Sequence, residues 1–274
     1  MASPATFVAL LAALLAAGAV SGLLAGLFGV GGGAVLVPVL YECLGYLNID
    51  ESVRMHLSVA TSAAVIIPTS IRSFLTHKRI GAVDMKFLRG WVVVVPLGAI
   101  IAGLVAGLIS GEMLRIIFVV LASLIALKLF FGGQWLRLGA DVPGNPVHSI
   151  VGFAIGLFST WMGIGGGVFN NTYMTLFGRG MHQAVATSAG VGVLISIPGV
   201  IGFVVAGWGA EDMPPFSLGY VNLLAALVIM PVTLFLAPYG ARLAHRLSRR
   251  QLEIGFGVFL LFVASRFAMT LLQG

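Results

Sequence analysis

Long apolar stretches alternate with short polar ones along the whole chain, and this pattern predicts ten membrane segments. A helix needs about 20 residues, at about 1.5 Å per residue, to cross a hydrocarbon core about 30 Å thick. The second and seventh stretches are short for a full span, so they are either tilted short spans or broken helices. The predicted segments cover residues 5–28, 33–48, 55–75, 87–109, 112–131, 147–163, 166–178, 182–208, 217–240 and 251–272.

Two motifs of the first half of the chain return in the second half. The sequence "GLFGVGGG" at 26–33 returns as "GLFSTWMGIGGG" at 156–167, and "MHLSVATSA" at 55–63 returns as "MHQAVATSA" at 181–189. The second glycine motif carries a four-residue insertion, but both motifs keep their order along the chain.

Two further features repeat in the same order. The next long segment carries a proline in each half, Pro96 and Pro231, and "LRIIFVVLASLIALKLF" from Leu114 aligns with "LEIGFGVFLLFVASRFA" from Leu252. Four shared features in one order indicate an internal duplication, with a period too long for a solenoid. We place the first repeat at residues 1–140 and the second at residues 141–274.

The basic residues predict how the segments are oriented. Membrane proteins keep Lys and Arg in their cytoplasmic loops. If every segment crosses, 12 of the 15 basic residues lie on that side: Arg72, Lys78, Arg79, Lys86, Arg89, Lys128, Arg137, Arg179, Arg242, Arg246, Arg249 and Arg250.

An odd number of spans in each half turns the second repeat upside down. The sequence therefore predicts an all-α membrane protein with an inverted repeat of five plus five segments and both termini outside the cytoplasm. In an alternative topology, each glycine-bearing pair of segments forms a re-entrant hairpin, which leaves eight full spans and the same inversion.

The composition supports a membrane protein and argues against several other classes. The chain is 59% hydrophobic and 9% charged, against about 25% charged residues in soluble domains. Its net charge of +6 does not indicate a nucleic-acid partner, because the basic residues sit in short loops. Cys43 is the one cysteine, so an internal disulfide and a CxxC metal site are excluded. We expect no cofactor and no metal, and we expect the apolar N-terminal segment to be retained, since it lacks a positive leading region.

The paired glycine runs predict an anion site. Inverted repeats whose helices break in pairs are typical of secondary transporters, which bind substrate at the breaks. Glycine lets a ligand approach the backbone and allows positive φ, and a helix that starts after the break directs free N–H groups at the ligand. Close helix packing is the alternative role of these glycines. The predicted binding glycines are Gly31, Gly32, Gly33, Gly165, Gly166 and Gly167.

Other polar side chains near the breaks are candidates for the same site. The twin "VATSA" sequences supply hydroxyls, which in membrane helices also bond their own i−4 carbonyl groups. Two asparagines replace Leu36 and Val37 of the first half, either for substrate selectivity or for a helix–helix hydrogen bond. A tryptophan in the insertion either walls the cavity or lies in the interfacial belt. These candidates are Thr61, Ser62, Trp161, Asn170, Asn171, Thr187 and Ser188.

Three titratable residues are candidates for carrying a coupling proton. His56 and His182 begin the twin motifs at opposite faces of the membrane, and Glu42 lies inside the short second segment. Histidine titrates near neutral pH, and carboxylates inside membranes often carry protons. Interfacial histidines and a solvated carboxylate are the alternatives.

"GLFGVGGGAVLVPVL", "GLFSTWMGIGGGVFNNTYM" and the two "VATS" stretches resemble the TauE/SafE family of sulfite-exporter-like membrane proteins. The resemblance covers essentially the whole chain. It implies a transporter in a bacterial-type inner membrane that carries small sulfur-containing anions such as sulfite or organosulfonates. The family is broad in substrate, so the resemblance implies an anion transporter more firmly than any named anion.

From these features we expect alternating access around a small anion held between the two glycine breaks. An anion channel on the same scaffold is the alternative. The chain contains no HExxH, GxSxG or GxxxxGK[ST] motif, which argues against an enzyme and against ATP-driven transport. The expected partners are the substrate anion and the lipid bilayer, and the sequence fixes neither the direction of transport nor the oligomeric state.

Overall fold

A computed structural model describes residues 4–28, 32–131, 138–211, 213–244 and 249–273. Within these ranges six helices are long and apolar enough to cross a membrane, or seven if the pair α4 and α5, bent by 44°, forms one span. The predicted all-α polytopic fold is confirmed. The elements are α1 Pro4–Phe28, α2 Gly33–Tyr46, α3 Glu51–Arg79, α4 Met85–Trp91, α5 Val94–Ala106, α6 Gly111–Phe131, α7 Val147–Trp161, α8 Gly167–Leu176, α9 Met181–Ala206, β1 Ser217–Leu218, β2 Val221–Asn222, α10 Leu223–Ala244 and α11 Arg249–Gln273.

Short polar signals set where several helices begin. The Asp50 carboxylate accepts hydrogen bonds from the hydroxyl and from the backbone N–H of Ser52 and caps α3, and these two bonds lower the pKa of the exposed Asp50 carboxyl. Asp84 caps α4 in the same way by accepting from the N–H of Phe87. The Asp50 cap places the start of α3 ahead of the predicted segment that begins at residue 55.

Two glycines in the left-handed conformation begin the short helices. Gly32 precedes α2 with φ 73°, and Gly166 precedes α8 with φ 70°. A side chain in this conformation costs about 1–2 kcal/mol, so glycine is the residue that lets the chain reverse here and start a new helix.

The bundle has two ends, which we name after one residue at each. At the Glu51 face, α3 and α6 begin, and Glu51 pairs with Arg115. At the Arg179 face, α4 begins and α8 ends, and Arg179 pairs with Asp84 and with Asp141. The basic cluster that follows α3 lies at the Arg179 face, as expected if that face is cytoplasmic.

Each short helix begins inside the bundle, beside the helix that precedes it. Ser21, in the second half of α1, donates to the carbonyl oxygen of Gly32 at 3.0 Å, so α2 begins inside the bundle and runs back to the Glu51 face. Gly166 faces the hydroxyl of Ser159 in the last turn of α7, and α8 runs back to the Arg179 face. With 14 and 10 residues, α2 and α8 are about 21 Å and about 15 Å long, too short for a full span. The short helices α2 and α8 therefore fit the re-entrant alternative, whereas α1 is long enough to span, and the described residues hold six or seven span-length helices rather than eight.

Candidate functional site

The two glycine breaks, one before α2 and one before α8, meet at the centre of the bundle. A side chain on Gly33 would run into the carbonyl oxygen of Gly163, so these two backbones are in direct contact. The Ser62 hydroxyl donates to the Gly163 carbonyl at 2.8 Å and lies 3.4 Å from that of Gly33. The structure thus joins the predicted residues Gly33 and Ser62 to the second glycine run. Predicted Gly31 lies outside the described residues.

The remaining predicted glycines line the approach to this contact. Gly32 packs against Ser21, while a Cβ on Gly166 would lie 3.2 Å from the Ser159 hydroxyl. The carbonyl oxygen of Gly165 faces Gly192 of α9, and Gly167 begins α8. Both short helices therefore direct their first N–H groups into the centre, where they lack partners within the helix.

The second half adds a polar chain that the first half lacks. Asn170 donates from Nδ2 to the Ser188 hydroxyl, which donates to Oδ1 of Asn171, both at 2.6 Å. The corresponding Leu36 and Val37 are fully buried and apolar. Among the described residues, Oδ1 of Asn170 and the Ser159 hydroxyl are buried without a hydrogen-bond partner. Unpartnered buried polar atoms are rare and often mark a place where a ligand or water binds.

The threonines of the twin motifs are held by the opposite half. Thr61 accepts a hydrogen bond from the backbone N–H of Asn222, and Thr187 accepts one from that of Asp84, both at 2.9 Å. Thr61 and Thr187 are fully buried. Their hydroxyls serve the contact between halves in this state, and a role in anion binding stays a prediction.

Trp161 lies near the Glu51 face and links α7 to α5. Its indole Nε1 donates to the carbonyl oxygen of Ala102 at 2.9 Å. The first half has no residue at this place, because Trp161 belongs to the four-residue insertion. In this state the side chain walls the inside of the bundle rather than a lipid-facing belt, since it packs against the buried core.

The three candidates for proton coupling occupy separate places. His56 lies within 3.0 Å of the carbonyl oxygens of Ser52, Ala106 and Ile109 and stacks on Tyr220, whose burial raises the pKa of its phenol. His182 is exposed at the other face. Glu42 pairs with Arg266 at 3.4 Å near the Glu51 face.

Glycines close the seam between α5 and α9, which we call the α5–α9 seam. A Cβ on Gly103 would lie 2.6 Å from the carbonyl oxygen of Gly199, and one on Gly202 would lie 2.8 Å from that of Ile100. These distances leave no space for a methyl group, so the two backbones touch. The seam is shut near the Glu51 face.

By the internal repeat, the counterpart of this seam lies between α10 and α3 near the Arg179 face. Here the structure has a cavity of about 270 Å³ instead of a backbone-to-backbone contact. Arg72 reaches across it to the carbonyl oxygen of Leu234 at 3.2 Å. At the edge of the cavity, the Ser70 hydroxyl faces Gly192 of α9, and the carbonyl oxygen of Gly165 faces the same glycine. The polar lining comprises Thr69, Ser70, Arg72, Ser73, Thr76 and His77.

The sequence reasoning missed a buried arginine at the Glu51 face. Arg115 is 6% exposed, and its Nη1 lies 2.6 Å from Oε1 of Glu51 and donates to the Tyr41 hydroxyl at 2.9 Å. The aligned last segments contain a signal for this residue, since they place Arg115 opposite Glu253.

Comparison with known proteins agrees with this architecture. The profile of the sulfite exporter TauE/SafE family matches residues 14–267. The chain belongs to this family. It is 36% identical over 239 residues to a probable membrane transporter protein of Haemophilus influenzae, covering 87% of this chain and 90% of that protein.

More distant relatives carry the same description. Probable membrane transporter proteins of Methanocaldococcus jannaschii and Bacillus subtilis are 26% and 25% identical over 83% and 86% of this chain, and over 84% and 89% of their own lengths. No solved structure matches the chain significantly. This TauE/SafE member is therefore a multi-pass membrane protein of the transporter type.

Proposed function

We propose that this TauE/SafE protein is a secondary transporter of small sulfur-containing anions, sulfite or organosulfonates, working by alternating access. It lies in the inner membrane with the Arg179 face in the cytoplasm and both termini outside. Family membership supports the substrate class, and the basic loops support the orientation. The observation that carries the mechanism is the difference between two seams that the repeat makes equivalent.

Inverted repeats exchange conformations when a carrier changes the side on which it is open. Here the α5–α9 seam is shut by backbone contact, while its counterpart between α10 and α3 holds a cavity. His56 and His182 follow the same division, since His56 is buried among carbonyl groups and His182 is exposed. We therefore interpret this structure as the state open toward the Arg179 face.

The cavity suits an entering anion. It offers the Arg72 guanidinium at its mouth and hydroxyls deeper inside, where Ser70 approaches the second glycine break. From there the anion reaches the N–H groups at the starts of α2 and α8 and the unpartnered Ser159 hydroxyl. Since Gly33 and Gly163 touch in this state, an anion can occupy the centre only if the two glycine breaks separate.

Partial charges fit a carrier better than a buried ion pair would. A fully desolvated pair is costly to form and to break, whereas backbone dipoles allow modest binding and fast release. The membrane potential supplies about 2.3 kcal/mol per charge per 100 mV to an anion that leaves the cell. Export therefore needs no coupling ion, and uptake needs one.

Reconstituted vesicles test the proposal. Vesicles containing the purified protein and loaded with sulfite should show saturable counterflow of labelled sulfite or of an organosulfonate. In planar bilayers the same preparation should give no unitary currents. Unitary currents with unsaturable flux would reject the carrier and favour the anion channel.

A further inference from the structure

We propose that Arg115 forms a second anion site at the Glu51 face, and that the carboxylate of Glu51 occupies this site when no substrate anion is bound. The class of anion rests on the proposed function. The site lies at the opposite end of the bundle from the cavity beside Arg72.

The guanidinium of Arg115 is buried and only partly satisfied. Nη1 contacts both Glu51 and the Tyr41 hydroxyl, while Nε has no hydrogen-bond partner among the described residues. A guanidinium presents five N–H donors and binds planar or tetrahedral oxyanions through several of them at once. An unused donor on a buried cation is costly, so this geometry indicates an additional acceptor.

The surrounding cavity is large and favours negative charge at its base. Its volume is about 880 Å³, and Arg115 lines it. The helices α3 and α6 both begin here, and their first turns are in contact, since a Cβ on Gly111 would lie only 2.8 Å from the carbonyl oxygen of Ser52. Asp50 and Ser110 already cap these two N-termini, so the Arg115 guanidinium itself supplies the attraction for an anion.

The Glu51 carboxylate is placed so that it can leave the Arg115 guanidinium and return to it. Its side chain is 58% exposed, whereas that of Arg115 is 7% exposed. The carboxylate can turn into water at little cost, but the arginine has no such freedom. A sulfite or sulfonate offers oxygens at carboxylate-like spacing, so it can take the place of Glu51 on Arg115 and near the Tyr41 hydroxyl.

The other charged and titratable groups at the cavity have different partners from the pair of Arg115 and Glu51. The Arg54 guanidinium is bound to the carbonyl oxygen of Ile49 through Nε and Nη2, at 3.2 and 2.7 Å. Glu42 is paired with Arg266. The remaining groups are His56, Glu112 and Tyr220. Glu112 is exposed on α6 and offers a matched carboxylate, since it lines the same cavity.

The Glu51 carboxylate thus competes with the substrate anion for Arg115 on the side where the anion leaves. An anion that arrives from the centre displaces Glu51 from Arg115, and the returning carboxylate then displaces the anion into the outer solution. Binding is thereby kept modest at a site whose buried charge would otherwise hold the anion tightly.

Calorimetric titration of the purified full chain with sulfite, and separately with sulfoacetate, tests the site. Glu51→Gln removes the competitor and should tighten binding by about fivefold or more, whereas Glu112→Gln, which makes the same charge change, should alter it by less than about twofold. Glu51→Gln with Arg115→Gln removes both partners, so no charge is left buried alone. This double variant should bind at least about tenfold more weakly than Glu51→Gln.

The outcomes separate this site from the transport function. Three results would each overturn the Arg115 site. The first is an equal effect of Glu51→Gln and Glu112→Gln, the second is undiminished binding in the double variant, and the third is the absence of binding to both wild type and Glu51→Gln. Vesicle flux by the wild type alongside any of these results would retain transport and reject the site. The expected binding pattern without any flux would support the site and reject transport.

Discussion

Thr61 accepts a hydrogen bond from the backbone N–H of Asn222 at 2.9 Å, although the two residues belong to opposite halves of the chain. The internal repeat makes Thr187 and Asp84 the inverted copy of this pair, with the same distance. In each half, the threonine hydroxyl thus binds the backbone N–H of the residue that begins the fourth segment of the other half. The two matched hydrogen bonds agree with the duplication that the sequence motifs predict.

Removing either threonine hydroxyl should weaken the fold. Thr61→Val leaves the buried N–H of Asn222 without its acceptor, which typically costs about 1–3 kcal/mol, so the apparent melting temperature of the purified protein should fall. Thr187→Val should act similarly on Asp84. Thr61→Ser keeps the hydroxyl and serves as the control; if it melts as early as Thr61→Val, the hydrogen bond is not the cause.

The left-handed glycines should not tolerate a side chain. Gly32→Ala and Gly166→Ala each pay about 1–2 kcal/mol of backbone strain and also meet neighbouring atoms, Ser21 in the first case and Ile195 in the second. We expect vesicle flux to fall by at least about tenfold.

Gly81→Ala is the matched control for these two substitutions. Gly81 has φ 69°, but a Cβ there meets no atom within 4 Å. It should retain near wild-type flux. Equal losses in all three variants would attribute the effect to backbone strain alone and count against a crowded central site.

A bulky residue in the α5–α9 seam should block transport. Gly103→Leu cannot fit against Gly199, so the seam is forced apart and the state open toward the Arg179 face is disfavoured. Flux should drop, and a cysteine in place of the buried Ser196 should become more reactive to thiol reagents. Gly255→Leu, in open space on α11, should change neither quantity. Wild-type flux in Gly103→Leu would show that closure of this seam is not needed.

Cysteine labelling tests the orientation. In a background with Cys43→Ala, Ile80→Cys should react only from the cytoplasm and Leu108→Cys only from outside. Both side chains are highly exposed, 72% and 87%, at opposite ends of the bundle. The reverse pattern of labelling by a membrane-impermeant maleimide would invert the predicted topology.

Much of the fold follows from the sequence because apolar length and repeated motifs are local properties. The predicted segment at 182–208 corresponds to α9 Met181–Ala206, and the predicted break at the second glycine run separates α7 from α8. Whether a short apolar segment crosses or turns back is not local, because it depends on which residue lies beside its start. For α2, the hydrogen bond from Ser21 to Gly32 shows that the helix begins inside the bundle and turns back.

The candidate site was predicted less completely for the same reason. Paired motifs point to Gly33 and Ser62, and the structure brings both to the second break. Arg115 was missed because its partners, Tyr41 and Glu51, lie on other helices and meet it only at one face of the folded bundle. Glycine seams were also missed, since a glycine gives no sign of the helix that it faces.

The Trp161 insertion has a thermodynamic consequence for the proposed cycle. Two identical inverted halves would make the inward-open and outward-open states equivalent by a two-fold rotation in the membrane plane, with equal resting populations. The indole bond to Ala102 exists on one side alone. If this bond breaks when the seam opens, a hydrogen bond worth about 1 kcal/mol shifts such an equilibrium about fivefold toward the state seen here, and we predict that the empty carrier spends most of its time open toward the Arg179 face.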